Sequence, residues 1–290
     1  MRIPESELIL NPDGSIYHLR LKPGEIASTI ISVGDQERVS EVSKYFDTIE
    51  VERQHREFKT HTGTFRNKRF TVISTGIGPD NIDIVFNELD ALVNIDFANR
   101  TIKENKESLE IIRIGTSGAL QPEIPVDSMI LSETGIGFDN LLHFYGNADD
   151  IMDKDFSDAF MLHTNWDKEN SRPYVVKADE NLIGKFLAHG FNPGITTTNV
   201  GFYGPQGRVL RLALKDNELN EKIVSFRYKG KKITNLEMET AAIYGMSRLL
   251  GHRALSLNAI LANRTTGVFS DKPSETIDRL IRSTLNILTQ

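Results

Sequence analysis

Glu110-Ile111-Ile112-Arg113-Ile114-Gly115-Thr116-Ser117-Gly118-Ala119-Leu120 decides how the rest of this chain is read. Its apolar, β-branched run predicts a buried strand, and Gly115 and Gly118 mark where that strand is expected to turn into a glycine-rich loop. Arg113 is out of place in such a run. A guanidinium among apolar neighbours is costly unless it meets an anion, so it is expected to point at a carboxylate or at a bound phosphate near the strand end. The loop's N–H groups and the hydroxyls of Thr116 and Ser117 can bind the same anion. The expectation is an oxyanion cup at the carboxyl edge of a central strand.

Upstream, the strand-like run at residues 27–33 enters Gly34-Asp35-Gln36-Glu37-Arg38-Val39, and helical spacing follows through Val39, Val42 and Phe46. Gly34 thus sits at a strand-to-helix turn with N–H groups free to meet an anion. Arg38 in the first turn opposes the helix dipole, which an intervening anion would explain, although a solvated surface arginine fits as well. Gln54 to Thr64 begins a hairpin closed at Arg66-Asn67-Lys68, and Arg56 beside Glu57 would ordinarily be a surface pair. Phe70-Thr71-Val72-Ile73-Ser74 enters Thr75-Gly76-Ile77-Gly78-Pro79-Asp80 and a helix with Ile82, Val85, Leu89 and Leu92 on one side. Three such junctions imply strand ends converging on one ligand, where open α/β sheets bind.

Residues 96–108 read as a polar surface excursion, partly helical, and residues 126–132 as a further strand. The aromatic stretch 138–146 is either core or pocket wall. An amphipathic helix at 178–189 precedes a strand at 194–200, which delivers Gly201-Phe202-Tyr203-Gly204-Pro205-Gln206-Gly207-Arg208. Gln offers donor and acceptor and Arg donors only, a set suited to a planar heterocycle bearing carbonyls and an N–H, or to an ordinary polar turn. Ile233 to Thr240 is read as opening a helix with a small face at Ala241, Ala242 and Gly245, where an acidic residue in the first turn is often only a dipole partner. Residues 255–264 form the last strand, and Pro273-Ser274-Glu275 starts a final helix.

With 290 residues and no linker, repeat or low-complexity tract, the expectation is a single α/β domain spanning 1–290. A formal charge of -6 argues against general nucleic-acid binding, and the lack of cysteine excludes disulfides and thiolate metal sites. No run approaches the length of a membrane span and Met1 to Glu7 lacks a signal-peptide core, so the expected location is cytoplasmic.

Taken together, eight stretches resemble the nucleoside phosphorylase family, and its uridine branch more closely than its purine branch. They are His18-Leu19, Gly34 to Val39, His55-Arg56-Glu57-Phe58, Ser74 to Gly78, Arg113 to Ala119, Phe202 to Arg208, Glu237-Met238-Glu239 and Asn263-Arg264, in family order. The resemblance implies a three-layer α/β/α fold with a mixed central sheet. It implies that Gly34, Arg38, Arg113 and Thr116 bind phosphate, with Arg56 added from a neighbouring subunit. Phe202, Gln206 and Arg208 would hold the base, Glu237, Met238 and Glu239 the sugar, and His18 the 5′-hydroxyl across a subunit boundary.

The implied reaction is reversible phosphorolysis of uridine through an oxocarbenium-like transition state. Arg113 stabilises the phosphate, Glu239 the sugar, and Gln206 with Arg208 the departing base. The resemblance implies phosphate as co-substrate, no cofactor, no metal, and a homo-oligomer of at least two chains, a hexamer in the family pattern. Where the purine branch commonly has an Asp after its last core strand, this chain has Asn263-Arg264. The turn Gly78-Pro79-Asp80-Asn81 departs from the pattern, which leaves open a structural monovalent cation that some relatives hold partly there. The competing readings are a purine phosphorylase or nucleoside hydrolase of the same fold, and a non-catalytic nucleoside-binding protein.

Overall fold

All five residues of β1 (Thr29–Val33) are buried, and so are Ile111 to Gly115 in the strand beside it. Successive strand residues point to opposite faces, so such a run requires a sheet covered on both sides. The computed structural model describes residues 2–290. After β1 come α1 (Gln36–Ser43), the meander β2 (Thr48–His55), β3 (Phe58–Phe65) and β4 (Lys68–Ser74), and then α2 (Pro79–Asn94). A small hairpin, β5 (Ile95–Asp96) with β6 (Thr101–Ile102), leads to the central strand β7 (Glu110–Ala119) and to β8 (Met129–Gly137). The chain continues through α3 (Lys154–Thr164), β9 (Tyr174–Lys177), α4 (Glu180–Leu187), β10 (Asn192–Thr198), α5 (Leu219–Ser225), β11 (Arg227–Tyr228) and β12 (Lys231–Glu237). It ends with α6 (Thr240–Leu250), β13 (Arg253–Asn263), β14 (Val268–Phe269) and α7 (Pro273–Leu288).

The sheet is mixed, as expected, with order β11-β12-β10-β8-β13-β7-β1-β4-β3-β2. Strands β4, β1, β7 and β13 run parallel, so their carboxyl ends lie at one edge. Beyond them the sheet curls: β12 returns to pair antiparallel with β7 through Asn235–Ala119 and Leu236–Gly118. That closure carries the end of β12 to the end of β7. Helix α6 packs on α2 and on β8, and α7 packs on β13 and β7.

Several local expectations change. Gly115 to Gly118 do not form a loop, because β7 stays paired with β13 from Glu110 to Ala119 and its N–H groups serve the ladder. Gly115 is required for another reason: a Cβ there would lie 1.8 Å from Arg113 Nη1, because the guanidinium folds back over the next residue on its own face. Residues 231–237 are strand rather than helix, and the helix begins only at Thr240. The excursion at 96–108 holds the β5–β6 hairpin and no helix, and the strand expected at 126–132 runs instead from Met129 to Gly137. The hairpin closed at Arg66-Asn67-Lys68 is present as β3 and β4, and a further turn at Arg56, whose φ is +53°, joins β2 to β3. In the aromatic stretch Phe138 and Leu142 are core, whereas Phe144 is exposed. The elements α3, β9 and α5 were not legible: β9 has 4 residues and α5 has 7, too few for a period to show, and in α3 Met161 and the exposed Leu162 follow Phe160 and blur its apolar stripe.

Candidate active site

Arg113 lies in register between Ser32 of β1 and Ser256 of β13, two small residues that leave room for a guanidinium. Within the chain it meets two carboxylates. Nη2 lies 2.6 Å from Glu239 Oε2 and 3.0 Å from Glu237 Oε2, and Nη1 donates to Asn258 Oδ1 at 2.9 Å. All three charged side chains are buried. Burial alone would weaken the Arg113 charge, but the two carboxylates hold its pKa above the ordinary value. Burial pushes the Glu239 carboxyl up, Arg113 pulls it down, and the neighbouring Glu237 adds to the rise.

The two glutamates have different duties. Glu237 ends β12 and caps α6, accepting the N–H groups of Glu239 at 2.8 Å and Thr240 at 3.0 Å and the Thr198 hydroxyl at 2.8 Å. With its oxygens so engaged it is fixed in place. Glu239 accepts the Gly78 N–H at 3.0 Å, which ties the first turn of α6 to the junction before α2. Gly78, at φ +102°, adopts a backbone that only glycine takes easily.

At the end of β1, Asp35 caps α1 by accepting the Arg38 N–H at 2.8 Å, and its other oxygen pairs with Arg38 Nη2 at 2.8 Å. The Arg38 guanidinium is mostly buried, which lowers its pKa; Asp35 opposes that fall and Arg113 adds repulsion. Its Nε–H is buried without a protein partner. An unsatisfied buried donor of this kind is costly and marks a position suited to an anion.

Across the space from these groups, the 3-10 turn Gly204–Gln206 presents Gln206, which is buried. Gly207 at φ +69° reverses the chain so that Arg208 returns alongside Gln206. Arg208 Nη1 donates to Phe202 O at 2.7 Å and to Gln206 Oε1, and the guanidinium lies 3.8 Å from the centroid of the Phe202 ring. Partial burial, with repulsion from Arg264, lowers the Arg208 pKa to about 10.

These groups line one cavity of about 300 Å³, the lower end of the range for small-ligand sites. Gly34, Arg38, Arg113, Thr116, Phe202, Gln206, Arg208, Glu237, Met238 and Glu239 all border it. The Ser117 hydroxyl does not serve an anion: it donates to Leu236 O at 2.9 Å and accepts from Asn235 Nδ2 at 2.7 Å. His18 and Arg56 lie outside the cavity. His18 Nδ1 sits 2.6 Å from Glu88 Oε1, and Arg56 is exposed on its turn. Asp35, Leu261 and Phe269 also border the cavity; the N-cap position of Asp35 was a signal available in sequence, whereas nothing local marks Phe269.

Asn263 is turned away from the cavity. It is buried, donates to Gln121 O at 2.9 Å and Ile124 O at 2.8 Å, and accepts the N–H groups of Thr265 and Thr266. Among the described residues no group of three His, Asp or Glu side chains is placed to hold a metal ion. Nor is any helix long and apolar enough to cross a membrane.

Comparison with known proteins agrees with this architecture. The Phosphorylase superfamily matches residues 28–289, and the chain belongs to it. It is a nucleoside phosphorylase-family enzyme, a pentosyltransferase. A solved relative, the Trypanosoma brucei nucleoside phosphorylase described as showing uridine phosphorylase activity, superposes with a TM-score of 0.88 at 30% identity, over 97% of this chain and 99% of that one. A uridine phosphorylase of Thermococcus kodakarensis is 28% identical over 89% of this chain and 80% of its own. A DeoD-type purine nucleoside phosphorylase of Listeria monocytogenes is 24% identical over 86% of this chain and 88% of its own.

Proposed function

We propose that this chain, acting as one domain, is a uridine phosphorylase. The C1′–N1 bond breaks with its electron pair leaving on uracil, and a phosphate oxygen bonds to C1′ from the opposite face. The observation that carries this reading is the pairing, across one cavity, of a Gln206–Arg208 turn with the Arg38 and Arg113 guanidiniums. Gln206 supplies an acceptor and a donor for the edge of the base, and Arg208 stabilises its developing negative charge. Glu239 accepts from sugar hydroxyls beside Met238. Arg38, with its free buried Nε–H, Thr116 and the N–H at Gly34 receive phosphate together with Arg113.

Charge balance supports a multi-chain site. Arg38 and Arg113 face three acidic groups, Asp35, Glu237 and Glu239, so the cationic charge at that end is already outnumbered within the chain. A dianion needs further positive charge, which Arg56 of a neighbouring chain supplies, with His18 reaching the sugar 5′-hydroxyl. The proposed assembly is at least a dimer and, by family pattern, a hexamer. Mixing inactive Arg56→Ala and Arg113→Ala chains should restore part of the activity if Arg56 is given in trans.

Asn263-Arg264, standing where the purine branch commonly has an Asp, favours a pyrimidine over a purine. Purine phosphorolysis remains the second reading because DeoD-type relatives are similar over most of the chain. The test is a panel of uridine, deoxyuridine, thymidine, inosine and adenosine assayed with and without phosphate. Phosphate-dependent uracil release is the expected result. Release independent of phosphate would make the protein a hydrolase, and preference for inosine would overturn the pyrimidine assignment.

A further inference from the structure

The His18 ring, which the proposed site takes from a neighbouring chain, is held by a carboxylate of its own chain. Glu88 lies on α2 with a side chain only 12% exposed, and it accepts the backbone N–H groups of His18 at 3.0 Å and Leu19 at 2.8 Å. Its Oε1 also lies 2.6 Å from His18 Nδ1, the shortest contact of the set. An ionised carboxylate only accepts, so Nδ1 carries the hydrogen and Nε2 is left as the ring nitrogen free to meet a ligand. Among the described residues no other group bonds the ring.

Anchoring the segment needs only the two backbone bonds. The third contact fixes the imidazole. Tyr17 and Phe58 meet the ring edge-on, at centroid distances of 4.7 Å and 6.3 Å, and limit its rotation further. The side chain is nevertheless 25% exposed and borders a hollow of about 410 Å³ between the N-terminal segment and α2. The His18 carbonyl accepts from His55 Nδ1 at 3.0 Å, and His55 immediately precedes Arg56. The two groups offered to a neighbouring chain are therefore tied to each other.

We propose that Glu88 is a positioning residue for the neighbouring chain's substrate. It fixes the His18 imidazole so that Nε2 meets the sugar 5′-hydroxyl, and thereby sets how strongly the enzyme prefers a nucleoside that carries that hydroxyl. A ring already held through its other nitrogen loses little freedom when the hydroxyl arrives, so more of the new hydrogen bond appears as binding. This inference rests on the reading of the cavity as a nucleoside site completed by a second chain.

The test compares uridine with 5′-deoxyuridine, which lacks the hydroxyl, on the full-length protein with phosphate. Glu88→Ala should reduce the ratio of kcat/KM for uridine to that for 5′-deoxyuridine about 10-fold. His18→Ala should reduce the ratio equally, and the double variant no further, because Glu88 acts only through the ring. Glu88→Gln keeps an acceptor for the Leu19 N–H, and it decides the matter if Glu88→Ala does not fold. Its ratio should also fall, by a smaller factor, and 15N spectra should show the His18 hydrogen moved from Nδ1 to Nε2. A carboxylate that merely anchors the segment would lower turnover of both substrates alike, and an unchanged ratio in both variants would overturn the proposal. So would a wild-type His18 whose Nδ1 carries no hydrogen. If the wild type fails to cleave uridine with phosphate, the nucleoside assignment fails instead, and Glu88 is judged with whichever nucleoside of the panel is cleaved and its 5′-deoxy form.

Discussion

At the Arg113 end of the cavity each polar group is held by a strand or by the first turn of a helix, and each is tied to another. At the Gln206 end the same task falls to a 3-10 turn and an irregular segment whose side chains bond mainly to one another. Arg113, Glu237 and Glu239 form a buried charge cluster that links β7, β12 and α6, so function and stability share the same contacts there. Gln206 and Arg208 bond to each other and to Phe202, and little of the core depends on them. Altering the first end should damage the protein as well as its chemistry. Altering the second should change what is recognised and leave the fold intact.

Arg113→Ala gives the sharpest break. It leaves Glu237 and Glu239 together in the interior without their counter-charge, and breaking a buried pair in that way costs about 3–5 kcal/mol. Denaturant unfolding should show that loss, and phosphorolysis should fall by at least about 10³-fold. A stable Arg113→Ala protein would mean that the cluster is not the structural joint inferred here. Gly115→Ala tests the same end by steric means. The added methyl must displace the Arg113 guanidinium, and overpacking of this kind costs about 1–3 kcal/mol, with activity falling alongside stability.

At the other end, Gln206→Ala and Arg208→Ala should each lower kcat/KM for uridine by about 10²-fold, the loss of roughly 2–4 kcal/mol of charged or polar stabilisation in the transition state. Their unfolding free energies should stay within about 0.5 kcal/mol of wild type for Arg208→Ala, whose side chain is only half-buried, and somewhat lower for the buried Gln206. Equal destabilisation by Arg208→Ala and Arg113→Ala would erase the contrast between the two ends.

The smallest effect is in pH. Burial raises the Glu239 pKa, so between the ordinary carboxylate value and the raised one the folded state binds more protons than the unfolded state. The stability associated with that proton is present at low pH and is lost as pH rises through the raised value. In the proposed role Glu239 accepts sugar hydroxyls more strongly when ionised, so activity should rise through the same interval. The acid limb of kcat/KM should therefore lie above the usual carboxylate range, and Glu239→Gln should remove it.

The cavity residues taken from separate junctions were legible because each sits where a chemical oddity interrupts a regular pattern. Arg113 interrupts an apolar strand, Arg38 sits against a helix dipole, and Gln206 and Arg208 bracket a glycine. What those oddities bind was less legible. A guanidinium in an apolar run requires an anion, but its residues alone do not distinguish phosphate from Glu237 and Glu239, which lie more than a hundred residues away. Gly115 was read as a turn when it is a clearance for a side chain, and residues 231–237 as helix when pairing with β10 and β7 makes them strand.

From the sequence alone came the α/β class, the parallel strands with ligand-facing ends, and the chemical inventory of the site, because periodicity and residue type are local properties. The tertiary structure alone decided that the sheet curls to bring β12 onto β7 and that two glutamates neutralise Arg113. Those depend on contacts between residues distant along the chain, whose energies no local pattern carries.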